Sequence, residues 1–431
     1  MVFELKQDKA KAFGGEITAP ASKSYMHRLI VASALSREET IIKNAAQSDD
    51  IMATLKCVKM LGGDYAFLDD ELRISPIKKD KVAFAELNCN ESGSSLRLLL
   101  PVCAAMGKSV SFSGKGMLPK RPIFPLDREL SKNGISFELP KDRENIMPFK
   151  ISGQLKSGEF SLPGDVSSQF VSGLLFALPL LDKNSKITLE SPLESKPYVD
   201  MTIKVLSLFG IKITETKTGY EVFGNQEYVS PREVSCEGDW SGAAFFLAAG
   251  TLFGDVKIKN LSLSSLQGDK EIYYLLKKMG GRLESGKNFV RAKKSKLKAI
   301  DIDASQIPDL VPILALILSL SKGKGEIYNA KRLRIKESDR LKAVYTVLSS
   351  LGADIKEKED GLKIIGCEKL KGGYVSSFND HRIAMMAAIA SLLCENNVQI
   401  QNPMCVRKSY PLFYEDFLKL GGKKDVISMG E

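Results

Sequence analysis

The chain has 431 residues, of which 44% are hydrophobic and 26% are charged, and its formal net charge is +10. This length suits two or three domains with substantial cores. The longest apolar run, near residues 310–320, is shorter than the roughly 20 residues of a membrane-spanning helix, and the N-terminus lacks a signal-peptide core. We therefore expect a cytoplasmic protein without a membrane partner.

Residue types that support metal or redox chemistry are few and scattered. The seven cysteines form no Cys-x-x-Cys pair, which argues against a zinc site or a disulfide framework. With only His27 and His381, acid–base chemistry falls mainly to Lys, Glu and Asp. A Walker-type phosphate loop is missing, because Val102 stands where the pattern needs Gly. We expect no metal and no organic cofactor.

The positive charge has two readings. It could serve nucleic-acid binding, but the lysines are spread along the chain, there is one Trp, and no nucleic-acid motif occurs. A basic cleft that concentrates a small polyanionic substrate fits better. For part of the charge, solvated surface lysine is the simpler explanation.

The first predicted elements alternate between helix and strand. An apolar run at 26–35 has helical length and follows the polar turn Ser22-Lys23-Ser24. A strand is predicted at 40–44, an amphipathic helix at 49–61, and a hairpin at 65–74.

The polar turn of the first helix is basic. Ser22 or Ser24 can cap this helix, and Lys23 and Arg28 lie in or near its first turn. Cations at a helix N-terminus oppose the helix dipole, so an anion is expected to dock there. An ordinary capped helix with a basic first turn remains the alternative.

The same pattern recurs along the whole chain. A polar turn followed by an apolar run returns every 70–75 residues, near Ser22, Ser92, Ser167, Asp239, Asp309 and Asp380. A helix-like segment ending in glycine returns every 69–76 residues, at Gly62, Gly134, Gly210, Gly280, Gly352 and Gly421. Two independent markers in phase predict six repeats.

Each repeat is predicted to hold a buried inner helix, an amphipathic outer helix and a sheet, in the order helix, strand, helix, strand, strand. The last repeat is predicted to end in a helix at 411–420. Three repeats plus three place a domain boundary near 233–238, and the segment before Pro20 is left to pair elsewhere. The predicted fold class is α/β, with two domains of three similar units.

Several polar turns carry unusually dense chemistry. They are Ser22-Lys23-Ser24 with Arg28, Ser92-Gly93-Ser94 with Arg97, Lys120-Arg121-Pro122, Val166-Ser167-Ser168-Gln169-Phe170, Ser195-Lys196-Pro197-Tyr198, Gly238-Asp239-Trp240-Ser241, Ile307-Pro308-Asp309, Arg334 to Arg340, and Asn379-Asp380-His381-Arg382. Taken singly, each resembles a capped helix or a solvated charge cluster. At repeat-defined positions they indicate one site.

In these nine ordered motifs, essentially over its full length, the chain resembles the 5-enolpyruvylshikimate-3-phosphate synthase family of enolpyruvyl transferases. The resemblance implies the family's inside-out α/β barrel architecture. It implies an N-terminal substrate-binding domain at 20–235 and a C-terminal domain formed by 1–19 and 236–431. The hinge is expected near 18–22 and 233–238, and closure of the domains is expected to exclude water.

The resemblance also implies a reaction. The enolpyruvyl group of phosphoenolpyruvate is transferred to the 5-hydroxyl of shikimate 3-phosphate, and phosphate is released, in the shikimate pathway to chorismate and aromatic amino acids. Both substrates carry a phosphate and a carboxylate, which suits a basic cleft. A monomer is expected.

The implied ligands follow by matching positions. Those of shikimate 3-phosphate are Lys23, Ser24, Arg28, Ser167, Ser168, Gln169, Ser195, Tyr198, Asp309 and Lys336. Those of phosphoenolpyruvate are Lys23, Gly93, Arg121, Gln169, Lys336, Arg340, Arg382 and Lys408.

Three residues are implied in catalysis. Asp309 resembles the base toward the 5-hydroxyl, Glu337 the proton donor and acceptor at C3, and Lys23 a group that stabilises charge or protonates the departing phosphate. The division of proton transfer among them stays open. Glu91 and Arg332 depart from the Asn usual at their positions in the family, and Ser94 replaces a Thr.

Three other functions agree less well with the sequence. The enolpyruvyl transferase that uses UDP-N-acetylglucosamine typically has a Cys in the mobile loop and Lys-Asn where this chain has Lys23-Ser24, and this chain has no Cys between Cys103 and Cys236. A non-catalytic basic scaffold would tolerate substitution of Lys23, Asp309 and Glu337. The RNA 3′-phosphate cyclase class lacks support because no nucleotide motif occurs.

Overall fold

A computed structural model of the chain describes residues 1–8, 11–78, 84–141 and 145–427. The chain divides into two compact units, which we call the inserted unit, Lys23–Cys236, and the terminal unit, formed by Met1–Ser22 and Glu237–Glu431. These ends lie within three residues of the expected domain boundaries. Substrate binding by one domain and hinge motion stay predictions.

The terminal unit begins with β1 (Val2–Gln7) and β2 (Gly14–Thr18). The inserted unit follows with α1 (Lys23–Leu35), β3 (Thr40–Lys43), α2 (Asp49–Met60), β4 (Asp64–Leu68), β5 (Glu71–Ser75), β6 (Phe84–Asn88), α3 (Gly93–Ala105), β7 (Ser109–Ser113), α4 (Leu126–Lys132), β8 (Ile135–Glu138), β9 (Phe149–Gly153), β10 (Glu159–Leu162), α5 (Ser168–Ala177), β11 (Ser185–Leu189), α6 (Lys196–Leu208), β12 (Ile213–Thr216), β13 (Gly219–Val222) and β14 (Glu233–Ser235).

The terminal unit resumes with α7 (Trp240–Leu252), β15 (Asp255–Lys259), α8 (Glu271–Lys278), β16 (Arg282–Gly286), β17 (Phe289–Lys293), β18 (Ile302–Asp303), α9 (Val311–Ser319), β19 (Lys324–Tyr328), α10 (Arg340–Ser350), β20 (Asp354–Lys358), β21 (Gly361–Ile365), β22 (Gly373–Ser376), α11 (His381–Ala390), β23 (Val398–Gln401), α12 (Phe413–Lys419) and β24 (Gly422–Ile427).

Six four-stranded sheets share one topology in the described part of the chain. Their strand orders are β14-β3-β5-β4, β6-β7-β9-β8 and β10-β11-β13-β12 in the inserted unit, and β2-β15-β17-β16, β18-β19-β21-β20 and β22-β23-β1-β24 in the terminal unit. In every sheet the first two strands are parallel and the other pairings are antiparallel. The predicted six repeats are therefore confirmed.

Each unit completes a sheet with a strand from elsewhere in its sequence. In the inserted unit β14, the last strand, pairs with β3, the first. In the terminal unit β1 and β2 pair with the last and the first sheets of that unit. The prediction that the segment before Pro20 pairs elsewhere is confirmed.

The sequence pattern missed the parallel edge strand of each sheet and the final strand β24. These edge strands have only two to five residues, as in Ile302–Asp303, so they show too little alternation to be recognised. The helix predicted at the C-terminus is present as α12, but β24 follows it and pairs with β1.

The inner helices are buried on nearly all faces, as predicted. Every residue from Trp240 to Thr251 in α7 is buried, and the same holds for all ten residues of α11. The outer helix α8 is amphipathic and buries only Ile272, Tyr273 and Leu276. The inner helices pack against one another within each unit, so their apolar bodies are buried. Charged side chains are therefore placed at the polar N-terminal turns of these helices.

The two connections between the units are anchored inside the terminal unit. Ser22 N donates to Glu237 O at 2.8 Å, and Asp239 N donates to Pro20 O at 2.8 Å. The buried Gln267 side chain accepts from Ser22 Oγ at 3.1 Å and from Trp240 N at 3.0 Å. These bonds fix the residues that directly precede Lys23.

No helix of the described residues has the length and apolar character that crossing a bilayer requires.

Candidate active site

In the inserted unit, the basic start of α1 is compensated by α2. Lys23 Nζ lies 2.8 Å from Asp50 Oδ2, and Asp50 belongs to the first turn of α2, which Ser48 caps. The first turn of α1 itself has no acidic residue. An anion was expected to compensate the positive charge at the start of α1, and Asp50 supplies part of that negative charge.

The guanidinium donors of Arg28 are bonded within the inserted unit. Its guanidinium donates to Thr202 Oγ1 at 2.7 Å and to the carbonyl oxygens of Ser24 at 2.7 Å and Tyr198 at 2.9 Å. Burial lowers the pKa of Arg28 to about 10. Its predicted role as a direct ligand stays a prediction, because these bonds show it holding α6 against α1.

Gly93, the first residue of α3, lies directly beneath the Arg121 guanidinium. A Cβ atom at Gly93 would come within 2.8 Å of Arg121 Nη1 and 2.9 Å of its Cζ. Only the absence of a side chain therefore lets Arg121 settle on the start of this helix. Arg121 is buried, with 5% of its surface exposed.

Arg97 links Gln169 to the Arg121 segment. Its guanidinium donates to Gln169 Oε1 at 3.1 Å and to Pro122 O at 3.0 Å, and it lies over the Phe170 ring. Gln169 Nε2 in turn donates to Ser94 Oγ at 2.8 Å. These bonds hold the starts of α3 and α5 in register.

Three hydroxyl-bearing residues lie at the starts of α5 and α6. Ser167 caps α5 by accepting from Gln169 N at 3.3 Å, and Ser168 is the first helical residue. Ser195 precedes α6 with a left-handed backbone, φ +54°, that is uncommon outside glycine. Strain of this kind is often retained where a side chain must point into a site.

A buried hydroxyl chain ties three helices of the inserted unit together. His27 Nδ1 lies 2.8 Å from Thr54 Oγ1, which lies 2.6 Å from Ser95 Oγ, which donates to Ser92 Oγ at 2.7 Å. Burial, then the charges of Lys23 and Arg28, lower the pKa of His27 well below its usual value. A neutral His27 thus connects α1 to the cap of α3.

In the terminal unit, Asp309 lies in a 3-10 turn before α9 and is held by two arginines. Its Oδ1 accepts from Arg340 Nη1 at 2.9 Å and its Oδ2 accepts from Arg382 Nη2 at 2.9 Å. Arg340 is the first residue of α10 and Arg382 the second residue of α11, so the starts of these two helices meet the turn before α9 at one carboxylate.

Arg340 is the centre of this arrangement and is only 1% exposed. It also donates to Glu337 Oε2 at 2.5 Å and to Asp380 Oδ2 at 2.9 Å. Asp380 caps α11 and receives a further bond from Ser338 Oγ at 3.1 Å. We call Asp309, Lys336, Glu337, Arg340, Asp380 and Arg382 the arginine–carboxylate cluster.

The cluster shifts the titration of its members. Burial by itself would raise the pKa of Asp309, but Arg382, Lys336 and Arg340 together lower it far below the usual range. Burial lowers the pKa of Lys336 to about 7, with help from Arg332 and Arg340 and against the attraction of Asp309. Asp309 is therefore a carboxylate at neutral pH, whereas Lys336 holds its proton less tightly than an exposed lysine.

Asp269 is a carboxyl group next to the cluster that the sequence did not single out. It is fully buried, and its Oδ2 accepts a hydrogen bond from Ser241 Oγ. Burial, followed by repulsion from Asp309, raises the pKa of Asp269 to about 7, while Arg382 opposes the shift.

Lys408 lies in a 3-10 helix and reaches the start of α11. Its Nζ donates to Asn379 O at 2.5 Å, and the residue is 6% exposed. Asn379 has φ +54°, a left-handed conformation that asparagine adopts more readily than most residues.

Within each unit, the structure brings some of the predicted residues into direct contact and leaves others, such as Lys23 and Lys408, with different partners. Lys336, Glu337, Arg340, Arg382 and Asp309 are neighbours in the terminal unit. The inserted unit brings together Gly93 with Arg121, and Gln169 with Ser94. Asp50, Arg97, Asp269 and Asp380 interact with the predicted residues but were not predicted themselves, although Arg97 and Asp380 lie within the recurring polar turns.

Two departures from the family pattern have local contacts. Arg332 Nη2 donates to Ser305 O, and its charge acts on Lys336. The Glu91 carboxylate lies against Gly116, where a Cβ atom would come within 2.5 Å of Oε2.

Among the described residues, no group of three or more His, Cys, Asp or Glu side chains is arranged to hold a metal ion.

These helix starts, with their arginine-bound carboxylates and repeated α/β units, are those of an enolpyruvyl transferase. Residues 7–417 match the family model described as EPSP synthase (3-phosphoshikimate 1-carboxyvinyltransferase). The chain therefore belongs to the EPSP synthase family.

Known proteins resemble the chain over nearly its full length. It is 46% identical over 429 residues to a 3-phosphoshikimate 1-carboxyvinyltransferase of Clostridium novyi (strain NT), with 97% of both sequences covered. It is 47% identical over 423 residues to the enzyme of that name from Clostridium acetobutylicum, again with 97% of both covered. A solved EPSP synthase from Acinetobacter baumannii superposes with a TM-score of 0.82 at 25% identity, covering 99% of this chain and 100% of that one.

Proposed function

We propose that this chain transfers the enolpyruvyl group of phosphoenolpyruvate to the 5-hydroxyl of shikimate 3-phosphate and releases phosphate. This reaction belongs to the shikimate pathway, which leads to chorismate and the aromatic amino acids. The observation that carries this assignment is the arginine–carboxylate cluster in a chain of the EPSP synthase family. Both substrates are anions with phosphate and carboxylate groups, which arginine and lysine recognise.

For shikimate 3-phosphate, we propose that hydroxyl and cationic groups of the inserted unit bind the phosphate and the ring. The proposed residues are Lys23, Ser24, Arg28, Ser167, Ser168, Gln169, Ser195 and Tyr198, with Asp309 and Lys336 of the terminal unit. The bonds of Gln169 to Ser94 and Arg97 support its role, because they fix the orientation of the amide.

For phosphoenolpyruvate, we propose recognition mainly by guanidinium and ammonium groups. The proposed residues are Lys23, Gly93, Arg121, Gln169, Lys336, Arg340, Arg382 and Lys408. The fit of Arg121 over Gly93 and the anchoring of Arg382 by Asp309 support this assignment, since a fixed guanidinium can bind a planar carboxylate with two bonds.

Catalysis is proposed to depend on charge stabilisation together with proton transfer. The 5-hydroxyl adds to C2 of the enol as C3 gains a proton, and phosphate then leaves as C3 loses one. Glu337 is proposed to exchange the proton at C3, Asp309 to act at the 5-hydroxyl, and Lys23 to stabilise the phosphate charge. The enzyme is further proposed to be a cytoplasmic monomer without a nucleic-acid partner.

The test measures phosphate release from phosphoenolpyruvate with shikimate 3-phosphate and, separately, with UDP-N-acetylglucosamine. Activity is expected only with shikimate 3-phosphate. Alanine variants of Lys23, Asp309 and Glu337 should each lose at least about 100-fold in kcat, the usual worth of a group that acts on the proton or charge of a transition state. Lys342→Ala is the matched control, because Lys342 is exposed on α10.

Activity only with the sugar nucleotide would replace the proposed substrate. Full activity in all three alanine variants would instead remove these residues from catalysis and favour the scaffold alternative.

A further inference from the structure

Helices α1 and α2 are joined by two polar contacts that lie one helical turn apart. The first is the ion pair of Lys23 with Asp50, in which Nζ lies 2.8 Å from Oδ2. One turn further along both helices, His27 Nδ1 lies 2.8 Å from Thr54 Oγ1, and both of these residues are 0% exposed. Residues four apart share a helix face, so both contacts belong to one interface. The position of Lys23 relative to α2 therefore depends on the buried contact as well as on the ion pair.

The buried contact continues to the start of α3. Thr54 Oγ1 lies 2.6 Å from Ser95 Oγ, which in turn donates to Ser92 Oγ at 2.7 Å. Ser92 caps α3 by accepting from Ser95 N at 3.1 Å, and Gly93 is the next residue. This chain of hydroxyls therefore connects His27 to the residue directly before Gly93.

The number of available protons fixes the direction of these hydrogen bonds. Each hydroxyl has one proton, and Ser95 uses its own on Ser92, so Thr54 must donate in the 2.6 Å contact. The other acceptor near Thr54 is the Asp50 carbonyl oxygen, which is farther away at 3.5 Å. Because its proton is used in this way, Thr54 can only accept from His27. The imidazole must therefore carry its proton on Nδ1.

The surroundings of the His27 ring agree with this tautomer. Its Nε2 atom has no hydrogen-bond partner among the residues that the structure describes, so no second contact favours a proton there. Burial, then the charges of Lys23 and Arg28, lower the pKa of His27 well below its usual value, and the ring is neutral at neutral pH. His27 is therefore a buried, uncharged donor to Thr54.

We propose that His27 is a positioning residue for phosphoenolpyruvate, which acts through Thr54 and Ser95 on the cap of α3. This inference rests on the proposed function, in which Lys23 and Gly93 are ligands of that substrate. Lys23 begins α1 and Gly93 begins α3, so the chain of hydroxyls sets the relative positions of two helix starts that bind one substrate. The ligands proposed for shikimate 3-phosphate at the starts of α5 and α6 lie outside this chain.

The first experiment compares two replacements of similar size at His27. The amide nitrogen of His27→Asn lies as many bonds from the backbone as Nδ1 and can donate to Thr54, whereas His27→Leu has no donor. His27→Leu should raise KM for phosphoenolpyruvate about 5-fold to 50-fold, as expected when a hydrogen bond to a charged substrate is weakened. His27→Asn should stay close to wild type. In both variants kcat and KM for shikimate 3-phosphate should change much less, since ground-state binding of one substrate is what is lost.

Ser33→Ala is the matched control for a buried polar group in α1. Ser33 is 0% exposed, and its hydroxyl has no hydrogen-bond partner among the described residues. This variant should leave both KM values unchanged. Equal KM values for phosphoenolpyruvate in His27→Leu and His27→Asn would overturn the proposal. A rise shared equally by the KM values of both substrates would also overturn it, because it would show a role in folding alone.

The second experiment interrupts the chain at its other members, so it stays informative if His27→Leu does not fold. Thr54→Val removes a hydroxyl that Thr54→Ser retains, and only the Val variant should raise KM for phosphoenolpyruvate. Ser95→Ala removes a hydroxyl but keeps the backbone N–H that Ser92 accepts. Interrupting one chain twice should cost no more than once, so Thr54→Val combined with Ser95→Ala should resemble either single variant. Fully additive effects on KM would contradict a single chain.

The third experiment determines the tautomer of His27 and needs no substrate. The chain has only two histidines, so in protein containing ¹⁵N-labelled histidine the signals of His27 are those that His27→Asn removes. Couplings between ring nitrogens and ring protons should show a neutral ring that is protonated on Nδ1. A proton on Nε2 would reverse the bond to Thr54 and overturn the proposal.

These outcomes separate the inference from the proposed function. Wild-type enzyme without activity on phosphoenolpyruvate and shikimate 3-phosphate would contradict the function itself. Active wild-type enzyme, with His27→Leu and His27→Asn equally active at low phosphoenolpyruvate, would contradict only the role of His27.

Discussion

Asp269 carries a buried carboxyl group whose two oxygens have different surroundings. Its Oδ2 is bonded to Ser241, whereas its Oδ1 has no hydrogen-bond partner among the described residues. Burial and the nearby charge of Asp309 raise its pKa from 3.8 to about 7. The folded protein therefore binds this proton over a pH range in which the unfolded chain has released it.

We expect Asp269→Asn to change how stability depends on pH. Below pH 4 both states of the wild type are protonated, and between pH 4 and 7 only the unfolded state ionises, so wild-type stability falls with rising pH relative to the Asn variant. The relative gain of the variant should level off above pH 7, at no more than about 4 kcal/mol.

The measurement is the urea midpoint of unfolding at several pH values between 4 and 8. Asp354→Asn serves as control because Asp354 is exposed at the start of β20, and its midpoints should run parallel to wild type. Parallel curves for Asp269→Asn and wild type would show that Asp269 is ionised in the folded protein.

For single residues, the sequence predicted those that lie in recognisable motifs. It did not predict the residues that bind to them or shift their charge. Asp309, Arg340 and Arg382 were expected at the site and are joined in the terminal unit. Asp50 and Asp269 were not expected, since an Asp in the first turn of a helix or beside a Gly is common and has no signature of its own. Their importance arises from the ion pair of Asp50 with Lys23, 27 residues away in sequence, and from the charge repulsion between Asp269 and Asp309, 40 residues away, which only the folded chain reveals.

Gly93→Ala tests the start of α3 as a platform for Arg121. The added Cβ would lie 2.8 to 3.0 Å from three atoms of the guanidinium, so Arg121 must move. Because a flexible side chain can give way, stability should change little. We expect KM for phosphoenolpyruvate to rise about 10-fold to 100-fold, the worth of one charged hydrogen bond, while KM for shikimate 3-phosphate changes much less.

Steady-state kinetics with each substrate varied in turn, together with thermal unfolding, check this expectation. Gly173→Ala, in α5, is the comparison variant in which thermal stability is expected to fall. Its Cβ would lie 2.3 Å from the Arg97 carbonyl oxygen, and backbone cannot swing aside. It should lower the unfolding temperature, as overpacking by about 1–3 kcal/mol does. A loss of thermal stability in Gly93→Ala as large as in Gly173→Ala would contradict the proposed platform.

The helices were more predictable than the strands. Every inner helix begins within two residues of its predicted polar turn, because capping residues and long apolar runs are local signals. All six glycines predicted to end helices have positive φ, between +79° and +104°. The parallel edge strands depend instead on partners far along the chain, as in the pairing of β14 with β3, so local sequence could not reveal them.

For the molecule as a whole, repetition was the decisive signal. Six repeats with the same sheet topology explain why similar polar turns recur at fixed intervals, and why each unit borrows a strand to complete a sheet. The period could be measured from the sequence. The choice of which turns carry cations could not be derived from the period, because the repeats diverge at those positions.

The net charge of +10 leads to a prediction about salt. The proposed substrates are multiply charged anions, and a positively charged protein attracts them over distances that ions screen, about 10 Å at 0.1 M. We therefore expect kcat/KM for phosphoenolpyruvate to fall about several-fold between roughly 20 and 200 mM salt, because salt weakens the electrostatic steering that speeds substrate binding. kcat at saturation should change less, because bound substrate is shielded from the solvent ions.

Initial rates in sodium chloride and in choline chloride at equal ionic strength measure this effect. The two salts should act alike if screening is the cause, whereas a difference between them would indicate specific ion binding. Sulfate at the same ionic strength should inhibit more strongly, because its oxygens can occupy the arginine and lysine groups proposed to bind phosphate. A kcat/KM that is independent of both chloride salts would show that the positive charge lies away from the path of the substrates and belongs to solvated surface lysine.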